Sequence, residues 1–232
     1  MTAPVITIDG PSGSGKGTVS RLVARALGWH LLDSGALYRL TGVAGVRAGL
    51  RPDDEEAHAT AALHMDVRFL ADANGEPAIT LGGEDVTHAI RTEAAGERAS
   101  QVASFKAVRT ALLSRQRRFA EPPGLVADGR DMGSVIFPGA PLKVFLTASA
   151  EERALRRFRQ LKAAGVEATL EGVTADIAAR DARDSGRAVA PLVAAPGAVV
   201  LDTTGMDAET AARRILAIAA ERGLKGVQRA RP

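Results

Sequence analysis

A glycine-rich segment directly behind a predicted strand constrains this chain more than any other part of its sequence. The predicted strand covers residues 5–9, and the segment is Gly10-Pro11-Ser12-Gly13-Ser14-Gly15-Lys16-Gly17-Thr18. Glycines allow the backbone to curl so that successive N–H groups point at an anion. The helix predicted behind the segment adds the partial positive charge of its N-terminus, and Lys16 reaches the outer phosphates. A plain glycine-rich turn is the alternative, but strand, spacing, lysine and helix together favour a phosphate-binding loop.

The residue after the lysine departs from the common form of such loops. Many of them carry a Ser or Thr there that ligates Mg²⁺, whereas this chain has Gly17, with Thr18 one position later. We therefore expect nucleotide oxygens, water molecules and a more distant carboxylate to hold Mg²⁺. Asp128 follows a predicted strand and is the candidate carboxylate, acting through water. Its alternative role is that of a turn residue or helix cap.

Short apolar runs alternate with segments of helical periodicity, which predicts an α/β fold with a mostly parallel sheet. Apolar residues at helical spacing predict a first helix that ends at Gly28 and a last helix over residues 208–222. Asp33 and Ser34 are placed to cap a helix that runs toward Gly49. Five strands are predicted, at residues 5–9, 29–32, 125–127, 142–146 and 198–201.

A different pattern interrupts this alternation in the middle of the chain. Residues 67–70 and 78–81 alternate like strands around Asn74-Gly75, which is a strong hairpin signal, and a third short strand is predicted at 84–86. The pattern predicts a small antiparallel insertion. It is either a surface decoration or a clamp for a substrate.

Composition narrows the class of protein. The 232 residues suit one large domain, and 46% hydrophobic with 25% charged residues is ordinary for a globular protein. The absence of cysteine excludes disulfides, thiolate metal sites and a cysteine nucleophile. No apolar run is long enough to span a bilayer, and no signal peptide is visible, so a cytoplasmic location is expected. A net charge of +3 and only 3% aromatic residues favour small anions over nucleic acid as ligands.

Arginines stand where a second phosphate-bearing substrate would need them. Arg39 and Arg130 follow predicted strands, at the edge of the sheet where ligands bind in such folds. Arg153 and Arg157 are four residues apart on a predicted helix and share a face. Residues 180–187 interleave Arg and Asp, as expected of a mobile lid that brings guanidinium groups onto phosphate. A single arginine is more often a solvated surface residue, but the placement of Arg39 and Arg130 beside glycines at strand ends favours function. The alternative for the interleaved segment is a salt-bridged helix and loop.

Four segments carry a resemblance to a known family. The phosphate-binding loop is similar to the P-loop of nucleoside monophosphate kinases, which share the glycine after the lysine. The chain resembles the bacterial cytidylate kinases in three further segments, namely Leu32-Asp33-Ser34-Gly35-Ala36-Leu37-Tyr38-Arg39, Ala127-Asp128-Gly129-Arg130-Asp131-Met132-Gly133, and Arg180-Asp181 through Arg187-Ala188-Val189-Ala190-Pro191-Leu192.

The resemblance implies a P-loop kinase fold for residues 1–232. Its parts are a five-stranded parallel sheet flanked by helices, a small antiparallel β insertion in the monophosphate-binding region and a helical lid. The core would comprise residues 1–39, 105–150 and 190–225. The insertion would comprise about 40–104, and the lid about 151–189.

The resemblance also implies roles for individual residues. The loop Gly10–Thr18 would bind ATP with Arg153 and Arg157, and Lys16, Arg130, Arg157 and Arg180 would act in catalysis. The phosphate of the acceptor nucleotide would bind Arg39, Arg130 and Arg180, and its cytosine would bind Ser100, Arg109 and Asp131. Its sugar would bind Asp184 and Arg187. Ser34 and Tyr38, in the matching motif, would also contact the acceptor.

The implied reaction moves the γ-phosphoryl group of ATP, with Mg²⁺, onto CMP or dCMP in a monomeric protein that binds neither nucleic acid nor membrane. Cytosine offers an amino hydrogen-bond donor beside two acceptors. Uracil exchanges donor and acceptor at two of these positions, so a site built for cytosine rejects UMP. Alternative functions are a P-loop kinase with another acceptor, a nucleotide-dependent switch or nucleic-acid-binding ATPase, and a purely structural module.

Overall fold

The computed structural model describes residues 3–71, 77–163, 165–187 and 189–226. The chain divides into two compact units, of which the first comprises Met1–Asp33 with Arg117–Pro232 and the second comprises Ser34–Gln116. The strands are β1 Val5–Asp9, β2 His30–Asp33, β3 Val67–Ala71, β4 Pro77–Leu81, β5 Glu84–Asp85, β6 Leu125–Gly129, β7 Leu142–Thr147 and β8 Val199–Asp202. The α-helices are α1 Lys16–Leu27, α2 Ser34–Arg47, α3 Glu55–His64, α4 Glu93–Val102, α5 Lys106–Arg117, α6 Ala150–Ala163, α7 Leu170–Ser185 and α8 Ala208–Glu221.

The first unit is built on a five-stranded parallel sheet in the order β2-β6-β1-β7-β8. All residues of β1 and β6 are buried, as expected of central strands covered on both faces. The edge strands β2 and β8 expose part of their residues. The predicted five-stranded sheet is confirmed, with β2 shifted one residue toward Asp33 from the predicted 29–32.

Helices α1 and α8 pack on this sheet through small and branched apolar side chains. Val19 and Val23 of α1 and Ile215 of α8 join one buried cluster with residues of β1, β6 and β7. Gly28 ends α1 in the left-handed conformation, with φ of 66°, which confirms the predicted stop. The last helix ends at Glu221, one residue before the predicted 222.

The second unit combines α2, α3, α4 and α5 with a three-stranded antiparallel sheet in the order β3-β4-β5. The predicted antiparallel insertion is therefore confirmed, although its third strand is Glu84–Asp85 rather than 84–86. The predicted Asn74-Gly75 turn lies outside the described residues. Helix α3 has no counterpart in the predictions. Its N-cap is Asp54, whose side chain accepts a hydrogen bond from the Ala57 N–H at 3.0 Å.

The turn after β6 and the helix pair α6 and α7 carry candidate site residues of the first unit. A π-helical turn, Met132–Ile136, follows β6 almost directly. Helices α6 and α7 pack on each other through a small apolar cluster that includes Leu161, Val173 and Ile177. Within the described ranges, no helix has the length and apolar character needed to cross a membrane.

Candidate functional site

The glycine-rich segment forms a loop between β1 and α1, where the sequence predicts it. Gly10 and Gly13 have positive φ values, of 157° and 76°. A Cβ atom at position 10 would overlap the backbone oxygen of Leu146, and one at position 13 would lie 2.8 Å from the backbone oxygen of Arg153. Both glycines are therefore required, because the loop is pressed against the ends of β7 and α6.

The start of α1 follows the loop directly. Gly15 precedes the helix in the left-handed conformation, with φ of 85°. In the part of the chain that the structure describes, no side chain caps α1, and its first turn holds no acidic residue. The first N–H groups of a helix lack partners within the helix and attract anions. The N-terminus of α1 is thus available to a phosphate group.

Lys16 places its ammonium over this loop. Its Nζ donates to the Pro11 backbone oxygen at 3.1 Å. Burial and the neighbouring Arg130 guanidinium lower the pKa of Lys16 to about 8, against the attraction of Asp128 and Asp33. A bound polyphosphate would stabilise the charged form and raise this pKa again.

Two carboxylates stand at the carboxyl edge of the sheet beside Lys16. Asp33 ends β2 and is in register with Asp128 on β6. Burial raises the pKa of Asp128 to about 7, with a further increase from the Asp33 charge, while Lys16 and Arg130 lower it. A Cβ atom at Gly17 would lie 3.2 Å from Asp128 Oδ2, so the side chain that many loops carry there would crowd this carboxylate.

These carboxylates suit a hard cation such as Mg²⁺, which prefers oxygen ligands and keeps several waters. The described residues contain no group of three or more His, Cys, Asp or Glu that could hold a metal ion by itself. That a cation here takes its ligands from nucleotide oxygens, water and Asp128 stays a prediction.

Arg130 and Arg187 are joined by one carboxylate. Asp184 Oδ2 accepts from Arg130 Nε at 2.9 Å, and Asp184 Oδ1 lies 3.1 Å from Arg187 Nη2. The Asp184 and Arg187 side chains are 10% and 6% exposed, and that of Arg130 is 26% exposed. The structure thus brings together three residues for which the sequence predicts acceptor contacts.

Arg153 is buried and connects the phosphate-binding loop to α7. Its Nη1 donates to the Ser12 backbone oxygen at 3.1 Å, and its Nε donates to the Ala148 backbone oxygen at 3.2 Å. Its Nη2 lies 2.7 Å from Asp181 Oδ2. Arg157 lies farther along α6, where its Nη1 donates to Gln160 Oε1 at 2.8 Å. These contacts indicate a supporting role for Arg153, and the predicted ATP contacts of both arginines stay predictions.

The remaining predicted residues of this unit lie close to these groups in the chain. Asp131 is buried at the start of the π-helical turn, and Arg180 is half-buried on α7.

Sequence reasoning missed two supporting residues, one that contacts the phosphate-binding loop and one that contacts the turn after β6. Arg156 donates through Nη1 to the Ser14 backbone oxygen at 3.3 Å and to Thr203 Oγ1 at 3.0 Å. Asp9 accepts two backbone hydrogen bonds from the turn after β6. Arg156 was recognisable only as part of an arginine-rich helix, whereas the position of Asp9 directly before Gly10 was a usable signal.

The second unit contains further predicted acceptor residues, two of which are in contact. The Arg109 guanidinium lies over the Tyr38 ring, 5.9 Å from its centroid, and its Nη1 donates to the Ala103 backbone oxygen at 3.3 Å. Ser100 Oγ is buried, and no hydrogen-bond partner for it is found among the described residues. Arg39 is half-buried on α2, and Ser34 is buried at the start of that helix.

Known proteins match this chain over nearly its full length. A family model described as cytidylate kinase matches residues 6–221. A cytidylate kinase from Pseudomonas savastanoi pv. phaseolicola is 61% identical over 227 residues, which cover 97% of this chain and 99% of that protein. One from Azotobacter vinelandii is 60% identical over 223 residues, or 96% of this chain and 97% of that protein.

A solved structure shows a more distant likeness. Shikimate kinase from Acinetobacter baumannii, in complex with shikimate, has a TM-score of 0.43 and 19% identity, with 97% of each chain covered. The sequence matches are far stronger, because the family model spans most of the chain and the relatives are about 60% identical to it. On these matches, the protein belongs to the cytidylate kinase family.

Proposed function

We propose that this protein transfers the γ-phosphoryl group of ATP to CMP or dCMP, giving ADP and CDP or dCDP. Membership of the cytidylate kinase family supports this reaction. The observation that carries it is that the Lys16 ammonium, the Arg130 guanidinium and the Asp128 and Asp33 carboxylates lie together beside the N-terminus of α1. Transfer between two phosphates needs such a mixture, since cations neutralise the two polyanions and carboxylates serve a metal ion.

The acceptor oxygen needs little activation. A nucleoside monophosphate is an anion at neutral pH, so its phosphate oxygen attacks without a strong general base. The protein then contributes position and charge, which are the main sources of catalysis in phosphoryl transfer. Lys16 and the N–H groups of the loop hold the donor phosphates, and Arg130, Arg180 and Arg39 neutralise the acceptor phosphate.

We propose Mg²⁺ as the metal that accompanies ATP, held by Asp128 through water. When bound, it would neutralise charge on the donor phosphates. A cation beside Asp128 would lower its pKa from the raised value in the free protein and keep it ionised at neutral pH.

The base of the acceptor is assigned to Ser100, Arg109 and Asp131. The buried Ser100 Oγ supports this, because a buried hydroxyl without a protein partner is costly unless a ligand supplies one. Arg109 offers a planar set of donors suited to the two acceptor atoms of cytosine. Asp184 and Arg187 are assigned to the sugar, and Tyr38 and Ser34 to the surroundings of the acceptor.

We propose that residues 151–189, which include α6 and α7, act as a lid over the donor phosphates, with Arg153 and Arg157 as its ATP contacts. Closure of a lid excludes water, which would otherwise hydrolyse ATP. The short chain of contacts from α7 through Arg153 to the Ser12 backbone oxygen supports a mechanical link between lid and loop.

The protein is further proposed to act as a monomer in the cytoplasm on small-molecule substrates alone. Light scattering coupled to size exclusion tests the monomer, and a mass of two chains would contradict it. Affinity for a polynucleotide that falls steeply with salt would contradict the restriction to small molecules.

The reaction is tested by ADP release with ATP, Mg²⁺ and, in turn, CMP, dCMP, UMP, AMP and GMP. Turnover with CMP and dCMP alone is the expected result. Preference for UMP or AMP would leave a phosphotransferase and refute the cytosine assignment, while ATP binding without stimulation by any monophosphate would refute the reaction.

Two variants separate the two halves of the site. Lys16→Met should reduce turnover at least a hundredfold, because a charge that stabilises the transferring group is lost. Ser100→Ala should raise the KM for CMP about tenfold, the size of one hydrogen bond to the substrate, without changing the KM for ATP. Equal effects on both KM values would argue against a base contact at Ser100.

A further inference from the structure

A buried carboxylate links the end of β1 to the turn behind β6. Asp9 is 3% exposed. Its Oδ1 accepts the N–H of Met132 and its Oδ2 accepts the N–H of Gly133, each at 2.8 Å. These N–H groups open the π-helical turn, where a helical segment has no acceptors of its own. Asp9 therefore caps this turn from a different strand, with both oxygens in use.

The turn is also in close contact with the same strand two residues earlier. A Cβ atom at Gly133 would lie 2.8 Å from Thr7 Oγ1, so only a glycine allows the backbone to approach this closely. Thr7 and Asp9 lie on the same face of β1, because side chains alternate along a strand. The start of the turn is thus held against one face of β1 at two points.

Arg130 and Asp131 lie between two anchors. Gly129 pairs with Asp9 in the sheet, and Met132 and Gly133 bond to the Asp9 side chain. Only two residues connect these anchors, so the backbone of both has little freedom. Both are residues assigned above to the acceptor nucleotide.

The group at position 9 must offer two acceptors. Burial raises the pKa of Asp9 to about 6, and the two N–H donors oppose that shift. An Asn would accept one of the two N–H groups and turn its own amide donor toward the other. A carboxylate is the only side chain of this size and shape that satisfies both donors.

We propose that Asp9 is a positioning residue for the acceptor nucleotide, which acts by holding the backbone of Arg130 and Asp131. This rests on the proposed function, since those two residues serve the acceptor only if CMP is the substrate. Asp9 also precedes Gly10, so one residue connects the donor loop to the acceptor segment.

Asp9→Asn tests the proposal, with Thr7→Val as the matched control. Thr7→Val keeps the shape of a side chain on the same face of β1, and its hydroxyl has no hydrogen-bond partner among the described residues. Asp9→Asn should raise the KM for CMP about tenfold, because one charge-assisted hydrogen bond of the cap is lost. The KM for ATP should change less than twofold, and Thr7→Val should change neither.

Amide hydrogen exchange gives a second measurement that does not depend on the reaction. The Met132 and Gly133 N–H groups should exchange at least tenfold faster in Asp9→Asn than in the wild type and in Thr7→Val. Unchanged exchange at these two positions would overturn the proposal. Faster exchange with an unchanged KM for CMP, or with equal increases in both KM values, would reduce Asp9 to a structural role.

Two outcomes remain and both are decisive. If the wild type does not phosphorylate CMP, the proposed function fails, and the exchange rates alone decide whether Asp9 holds the segment. If Asp9→Asn does not fold, Gly133→Ala replaces it, because its Cβ would push the turn away from Thr7 and so move the Gly133 N–H away from the Asp9 carboxylate. A normal KM for CMP in Gly133→Ala would overturn the proposal.

Discussion

Replacing Asp184 by Asn is the most direct test of the charge arrangement in the first unit. The carboxylate holds Arg130 at 2.9 Å and Arg187 at 3.1 Å. An Asn of the same shape accepts from one guanidinium and turns its amide donor toward the other. We expect Asp184→Asn to destabilise the free protein by leaving two close guanidinium groups without a shared anion.

The magnitude follows from burial. Removing one partner of a buried ion pair costs about 3–5 kcal/mol, because the other charge stays buried and unpaired. Arg187 is 6% exposed and loses the carboxylate beside its Nη2 but keeps other interactions, and Arg130 is 26% exposed and keeps some water. The lower end, about 3 kcal/mol, is therefore expected. For a protein of this size it corresponds to a fall in Tm of roughly 6–12 °C.

Urea unfolding followed by tryptophan fluorescence is a suitable assay, because Trp29 is the only tryptophan and packs into the core of the same unit. Asp176→Asn is the matched control, since Asp176 is exposed on the same helix, α7. Inorganic phosphate at about 50 mM should stabilise Asp184→Asn more than the wild type, because an anion replaces the lost carboxylate. A loss below about 1 kcal/mol, or equal losses in the two variants, would refute the reasoning.

Three further predictions concern stability. Glu55→Ala should lower the free energy of unfolding by about 1 kcal/mol, because Glu55 Oε1 accepts a backbone N–H at the start of α5. Urea unfolding followed by circular dichroism measures this, and Glu55→Gln and the exposed control Glu56→Ala should stay close to the wild type. Gly45→Ala places a Cβ 2.6 Å from His58 Nε2 and should cost about 1–3 kcal/mol, and adding His58→Ala should cost less than the sum of the single variants. Burial raises the pKa of Asp128 from 3.8 to about 7, so between these pH values the folded state binds a proton that the unfolded state releases. The free energy of unfolding should therefore fall as pH rises from about 4 to 7. The same pH dependence in Asp128→Asn would contradict this.

Local patterns were sufficient for most of the fold. The loop Gly10–Thr18 was predicted from its glycine spacing. The five parallel strands were predicted from short runs of apolar residues, because such runs form buried strands. The hairpin strands β3 and β4 followed from alternation for the same reason. Helix α3 was not predicted, because only His58 and Ala62 of its ten residues are buried and its apolar pattern is weak.

The candidate site was predictable to a smaller extent. The roles of Lys16 and the loop were predicted from the motif itself, and that of Arg130 from its position after a predicted strand. The base contacts at Ser100 and Arg109 came only from resemblance, because a polar residue on a helix carries no local sign of its role. The supporting roles of Arg153 and Arg156 were missed, since both bond to backbone oxygens that any segment of the chain could have supplied.

The sequence by itself determined the architecture and the chemistry of the donor loop, because periodicity and glycine placement act over a few neighbouring residues. Tertiary structure alone decided which charges meet. Arg130 bonds to Asp184, which is 54 positions away in the sequence. Met132 and Gly133 bond to Asp9, which is 123 and 124 positions away. With 30 Lys and Arg and 27 Asp and Glu in the chain, many pairings satisfy charge equally well. The parallel pairing of β1 with β6, driven by burial of their apolar residues, brings Asp9 within hydrogen-bonding distance of that turn.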